Sequence, residues 1–183
     1  MSIDTLNSAR ISTTLNWDAI DNVLFEKVAS QVNWQSQISF SLGDEADKIN
    51  RIAAQIVTVE PGSPEDVDIV GGLTDIFNST NQSMTTVRGL YVRLLKSTDT
   101  DSDGTVIGTA CDSVTVGGAS SDFMETVLGA SNVGMTLNNG DDFLFTNRGD
   151  GWTAGPTDGD NIRFSNDDAT EDAKVLLILF GAE

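Results

Sequence analysis

Residues Val32–Leu42 read VNWQSQISFSL. Val32, Trp34, Ile38, Phe40 and Leu42 fall on one parity, interrupted by Ser36, while Gln and Ser dominate the other. A period of two sends successive side chains to opposite faces of a strand and is hard to reconcile with a helix. Upstream, Arg10–Trp17 repeats the pattern, with Ile11, Thr13, Leu15 and Trp17 on one side. Between the two, Ile20, Leu24 and Val28 recur at helical spacing after the capping candidates Asn16 and Asp18, which predicts a short helix there.

Downstream the same alternation returns in short pieces. Ile52–Val59, a turn at Pro61-Gly62 and Val67–Val70 before Gly71-Gly72 read as a hairpin. Thr86–Leu95, Thr105–Ala110 and Ser113–Val116 read as strands, and Asp122–Leu128 as a helical turn with Phe123, Val127 and Leu128 inward. Val133–Leu137 and Phe143–Phe145 flank Asn138-Asn139-Gly140-Asp141-Asp142, and Asn-Gly favours the positive φ of a tight hairpin turn. Gly149–Gly159, with four glycines, a proline and Trp152, reads as a loop. Asn161–Phe164 and Lys174–Phe180 close the chain as two further strands. Many short strands and almost no helix predict an all-β fold, an antiparallel β-sandwich of jelly-roll type with at most one or two short helices. With 183 residues the expectation is a single domain over 1–183, in which 1–31 forms an N-terminal arm or helix-containing extension.

In the last strand, residues Val175 to Phe180 are apolar on both parities. A strand with one face in water alternates. Cover from within the chain or from a second subunit is therefore expected, and Val175, Leu177 and Leu179 are the candidate subunit-interface residues.

Composition excludes several classes of function. The chain carries 28 Asp and Glu against 10 Lys and Arg, a net charge of −18. Displacing counterions from phosphates needs a basic face, so neither nucleic acid nor an anionic membrane is an expected partner. The longest apolar run is far too short to cross a bilayer as a helix, and MSIDTLNSAR lacks the apolar core of a secretory signal. One cysteine, Cys111, allows no intrachain disulfide and suits cytoplasmic synthesis. The chain contains no histidine, which removes Ser-His-Asp and Cys-His nucleophiles and nearly all zinc or iron sites. Phosphate-loop, dinucleotide-loop and nucleophile-elbow motifs are missing from the sequence as well. Paired carboxylates of the glycosidase kind remain open, but with so many acids no pair stands out. The expectation is a protein that is not an enzyme.

Two local features suggest binding. Asp99-Thr100-Asp101-Ser102-Asp103-Gly104 spaces three carboxylates at alternate positions before a glycine, as the first half of an oxygen-rich calcium loop does. Asp99, Asp101 and Asp103 are the candidate calcium ligands. Ala110 stands where a closing bidentate Glu would be, and the plainer reading is an acidic loop between strands. Trp17 and Trp34 share parity with core residues, which leaves Trp152 as the candidate aromatic contact for a carbohydrate ring.

An ordered series of phrases resembles a family. These are GDEADKI (Gly43–Ile49), VDIVGGLTDIFN (Val67–Asn78), VRGLYVRLLKST (Val87–Thr98) and SVTVGGASSDF (Ser113–Phe123), followed by NNGDDFLF, WTAG, GDNIRFSN and VLLILFG. Together they resemble the small β-sandwich structural proteins of tailed-bacteriophage virions, over about three quarters of the chain. The acidic stretch Asp99–Asp112 departs from that pattern. The resemblance implies a capsid decoration or cement subunit located in the virion, with no catalytic residue. Its implied partners are the major capsid protein or other virion proteins and further copies of the chain, a homotrimer foremost. A tail- or fibre-associated subunit is the neighbouring alternative, and a carbohydrate-binding module using Trp152 and calcium is the alternative from another class.

Overall fold

The computed structural model describes residues 8–23, 26–42, 44–46, 48–73, 83–155 and 159–183, with the backbone alone described over 8–42. The chain divides into two compact units, residues 1–42 and 43–183.

The first unit is one long antiparallel pair, β1 (Ser8–Val23) and β2 (Glu26–Leu42). Its register sets Ile11 opposite Ile38, Leu15 opposite Trp34 and Trp17 opposite Val32, so the two apolar parities read from the sequence are brought together. The expected helix around Ile20 is corrected, because β1 runs unbroken through Ile20 to Val23. Spacing of three apolar residues was too thin a signal against the pairing along the whole strand. Leu24, and the side chains of Trp17 and Trp34, lie outside what is described.

The second unit is a sandwich of two antiparallel sheets. In chain order its elements are β3 (Lys48–Ile49), β4 (Arg51–Val59), β5 (Pro64–Asp68), β6 (Thr86–Leu94), β7 (Ser113–Gly117), α1 (Phe123–Leu128), β8 (Gly134–Asn138), β9 (Asp142–Thr146), β10 (Trp152–Thr153), β11 (Asn161–Asn166) and β12 (Ala173–Ala182). One sheet runs β4-β12-β6, with β9 and β10 sharing the far side of β6, and the other runs β5-β11-β7-β8. Val57, Leu90, Val175 and Leu177 of the first sheet meet Val67, Val114, Val116 and Phe164 of the second in a common core. Burial of each such side chain contributes about 1.5–3 kcal/mol.

Two expected hairpins are corrected. The turn after β4 leads into β5, but β4 pairs with β12 and β5 with β11, so the chain crosses between the sheets there. Gly62 takes φ 62° in this turn and donates its N–H to Asp168 O at 2.8 Å. Likewise β8 pairs with β7 and β9 with β6, and the Asn138–Asp142 turn is another crossing between the sheets. Gly140 has φ 88° there, and Asp141 accepts hydrogen bonds from the Asn138 backbone and side-chain amides at 3.0 and 2.9 Å. Both turns have hairpin chemistry because chain reversal is local. Which strand lies alongside is decided by pairing at long range.

Residues 105–110, expected as a strand, form only single bridges, Thr100 with Val106 and Lys96 with Thr109. Gly108 passes so close to the Lys96 carbonyl that a Cβ would lie 2.2 Å from its oxygen. The predicted helical turn is α1, opened by Asp122 and closed by Gly129 at φ 69°. It is the single helix among the described residues. At the border of the second unit, the Asn50 N–H donates to Gly181 O at 2.9 Å and Arg51 pairs with Glu183 at 2.6 Å.

Candidate interaction surface

The candidate calcium ligands do not gather. The Asp99 carboxylate is gripped by the Arg93 guanidinium at 3.0 and 3.1 Å and accepts the Lys96 N–H at 3.0 Å. Asp101 Oδ1 accepts from the backbone N–H of Asp103 and of Thr105, both at 2.9 Å, which folds its own loop. Asp103 is exposed. Among the described residues no group of three or more carboxylates or thiols converges as a metal site. Alternate spacing directs carboxylates to one ion only in a loop that bends around it, and here Asp99 is turned to Arg93.

Trp152 sits in β10, opposite Val87, half-buried and packed on the core. That removes the exposed aromatic platform and replaces part of the expected loop with a short strand. The Cys111 thiol is fully buried, 3.3 Å from Asn166 Oδ1, and burial pushes its pKa up, away from a reactive thiolate.

The buried charged groups build structure. Asp122, 2% exposed, accepts the Met124 N–H at 2.7 Å with one oxygen and the Arg163 N–H at 2.8 Å with the other, tying α1 to β11. Burial raises its pKa, while those two N–H donors oppose the rise. Arg88, 3% exposed, gives Nη1 to Lys48 O at 2.8 Å and Nη2 to Asp44 O at 2.9 Å, fastening the start of the second unit to β6.

A groove of about 400 Å³ opens between the edge strands β4 and β5, lined among others by Gln55, Thr58, Glu65, Asp66 and Asp68. Two of its three carboxylates, Asp66 and Asp68, are engaged. Arg163 holds Asp66 through two hydrogen bonds of 2.7 Å, which keep that carboxyl below its usual pKa. Asp68 accepts the N–H groups of Val70 and Gly71 at 2.8 and 3.0 Å. A general acid for glycoside cleavage needs a raised pKa, the opposite of the shift at Asp66.

The outer faces of the two sheets differ sharply in chemistry. On the second sheet Pro64, Ser165, Thr115 and Thr136 form one cross-strand row, and Asp66 with Arg163 another. Thr115 and Thr136 hydroxyls lie 3.2 Å apart in a hydrogen bond. On the first sheet the outward row through β12 is Ala54, Ile178, Tyr91 and Leu144, and its neighbours centre on Ile56 with Leu176 and Ile52 with Phe180. Ile56 is 44% exposed, and Leu176, Ile178 and Phe180 are half-buried.

Val175, Leu177 and Leu179, the candidate interface residues, are at most 1% exposed in the chain's own core. The outward parity of β12 is Leu176, Ile178 and Phe180. Because both parities are apolar, periodicity alone does not orient β12. Lys174, which shares its parity with Leu176, Ile178 and Phe180 and reaches the Thr58 hydroxyl at 2.6 Å, is the signal in the sequence that marks the outer side. No protein-family model matches the chain, and no curated protein is found similar to it.

Proposed function

We propose that this chain is a non-enzymatic structural protein of a tailed-bacteriophage virion, an outer capsid decoration or cement subunit that stabilises the head. The observation that carries the reading is the contrast between the sheets. One outer face is polar and internally hydrogen-bonded, suited to water, and the other is apolar, suited to a neighbouring molecule. A building block of a shell needs both kinds of surface.

The strand orders β4-β12-β6-β9 and β5-β11-β7-β8 support reading the sandwich as a jelly roll, a winding shared by viral capsid and lectin domains. The charge of −18 supports an outer position, since packaged DNA repels such a subunit. Partners in this reading are the major capsid protein and further copies of the chain, with a trimer as the expected order. Synthesis is in the host cytoplasm and the final location is the particle. A tail- or fibre-associated position is the neighbouring reading.

Particles assembled with and without the protein test it by cryo-EM and by heat and low-salt challenge. Missing density on the capsid surface and lower tolerance are expected without the protein. Unchanged density and tolerance would overturn the proposal, and density missing from the tail would transfer it there.

A further inference from the structure

We infer that the outer face of the first sheet is the surface on which two copies of this chain meet, an inference that rests on the homo-oligomeric part of the reading above and names its residues. Ile56, Leu176, Ile178 and Phe180 on β4 and β12, extended along one row by the ring of Tyr91 and by Leu144, form an apolar field, with Arg93 and Asp142 beside Leu176 at its margin. The field continues to an unprotected border. Among the described residues β4 pairs with β12 alone, and Ile52 to Val59 contains no charge, Pro or Gly. Edge strands that stay free in water are normally blunted by such residues. The edge of the other sheet, β5, has them, as Pro64, Glu65, Asp66 and Asp68.

Charge selects the occupant. Two chains of −18 repel wherever their acidic surfaces approach. This field carries little net charge, because Arg93 is held by Asp99 and Arg51 by Glu183, and the Lys174 and Asp142 at its margin are opposite in sign. A basic partner would be drawn to the groove at the margin of this field, where Glu65, Asp66 and Asp68 of β5 stand, and not onto the outward row of Ile178, Tyr91 and Leu144. A second copy brings a face that is flat, neutral and aliphatic in the same rows, so it matches both in shape and in charge.

The area suits a reversible contact. Four strand columns at about 4.8 Å and seven residues at about 3.4 Å give a footprint of roughly 450 Å² per copy. Two copies therefore bury on the order of 1,000 Å², near the lower limit of specific interfaces, as weak and reversible contacts do. A face that meets the same face of its copy makes an isologous contact about a two-fold axis, so the contact is that of a dimer.

Sedimentation velocity of the full chain, from about 1 µM to about 300 µM, tests the inference. The wild type is expected to gain mass with concentration. Ile178→Thr and Leu176→Thr, which keep β-compatible side chains, are expected to shift the midpoint at least tenfold upward, and Thr136→Ser on the opposite sheet to leave it in place. A second measurement is independent of those variants. Ile56→Cys, treated with a short bismaleimide, is expected to give several-fold more covalent dimer than Thr136→Cys, the native Cys111 being buried. A wild type that stays monomeric throughout, association indifferent to both outer-face variants, or equal cross-linking at the two positions would each overturn it. Face-dependent association in a protein missing from particles would sink the virion reading and leave this inference standing. Particle density from a protein that is monomeric throughout would do the reverse.

Discussion

On the outer surface of the first sheet Ile178 stands between Ala54 and Tyr91; on that of the second, Ser165 stands between Pro64 and Thr115. Beneath these rows the two sheets have the same character, since Leu177 and Leu179 on one side and Ile162 and Phe164 on the other are almost fully buried. The common core makes the sandwich, and the outward parity of each strand decides what the sandwich can be used for. A sheet with water on its outer side needs only one apolar parity. The second parity of β12 is surplus to the core of the unit, and it is the face on which the proposed contact rests.

The largest effects are expected where the sheets are alike. Phe164→Ala in β11 should cost about 3–5 kcal/mol and Leu177→Ala in β12 about 2–5 kcal/mol, whereas Leu176→Ala on the outer parity should cost less than about 1 kcal/mol in the isolated chain. Urea denaturation compares the three, and equal losses at Leu176 and Leu177 would erase the distinction between parities. Next, Asp122→Ala should cost about 2 kcal/mol, because it removes the cap of α1 and leaves the Met124 and Arg163 N–H groups without their acceptor. Its titration gives a further check. With its folded pKa raised, Asp122 contributes stability that is full below the ordinary value of 3.8 and is lost as pH rises through the folded value. Asp122→Asn, which does not titrate, should therefore gain on the wild type across that window in pH-dependent melting.

The comparison is made sharper by erasing the polar face. Thr115→Val with Thr136→Val should alter stability by less than about 1 kcal/mol yet create new self-association, visible by light scattering. The smallest expected effect is at the Asp66–Arg163 pair, whose side chains are 43% and 37% exposed. Asp66→Asn should cost less than about 1 kcal/mol at neutral pH. Because the pair lowers the Asp66 pKa, its contribution is present above 3.8 and fades as pH falls through the folded value, so wild type and variant should converge in acid.

Much of this architecture was legible in the chain. Alternation in Ile52–Val59, Asn161–Phe164 and Ser113–Val116 locates real strands, and Asp122 with Gly129 brackets the helix as capping residues do. What escaped was pairing. Pro61-Gly62 and Asn139-Gly140 announce reversals, but a reversal within one sheet and a crossing between two sheets use the same turn residues. The deciding contacts, such as Val57 with Val175, are far apart in sequence. The acidic loop failed for a related reason, since the spacing of Asp99, Asp101 and Asp103 is visible and the Arg93 that claims Asp99 lies on a different element. The outer face was half legible. Two apolar parities in β12 signalled a covered strand, and Lys174, with its neighbours Thr58 and Arg93, shows which parity faces out.

The meeting of Asn50 and Arg51 with Gly181 and Glu183 has a consequence for modularity. The start of β4 and the end of β12 lie at one corner, so a short linker could join Asn50 to Glu183 and the chain be reopened at the exposed tip around Ser102, giving a circular permutant of residues 50–183 with every β4–β12 pair retained. By the same geometry the unit could be grafted into a surface loop of an unrelated host as a self-contained cassette, carrying its apolar face along.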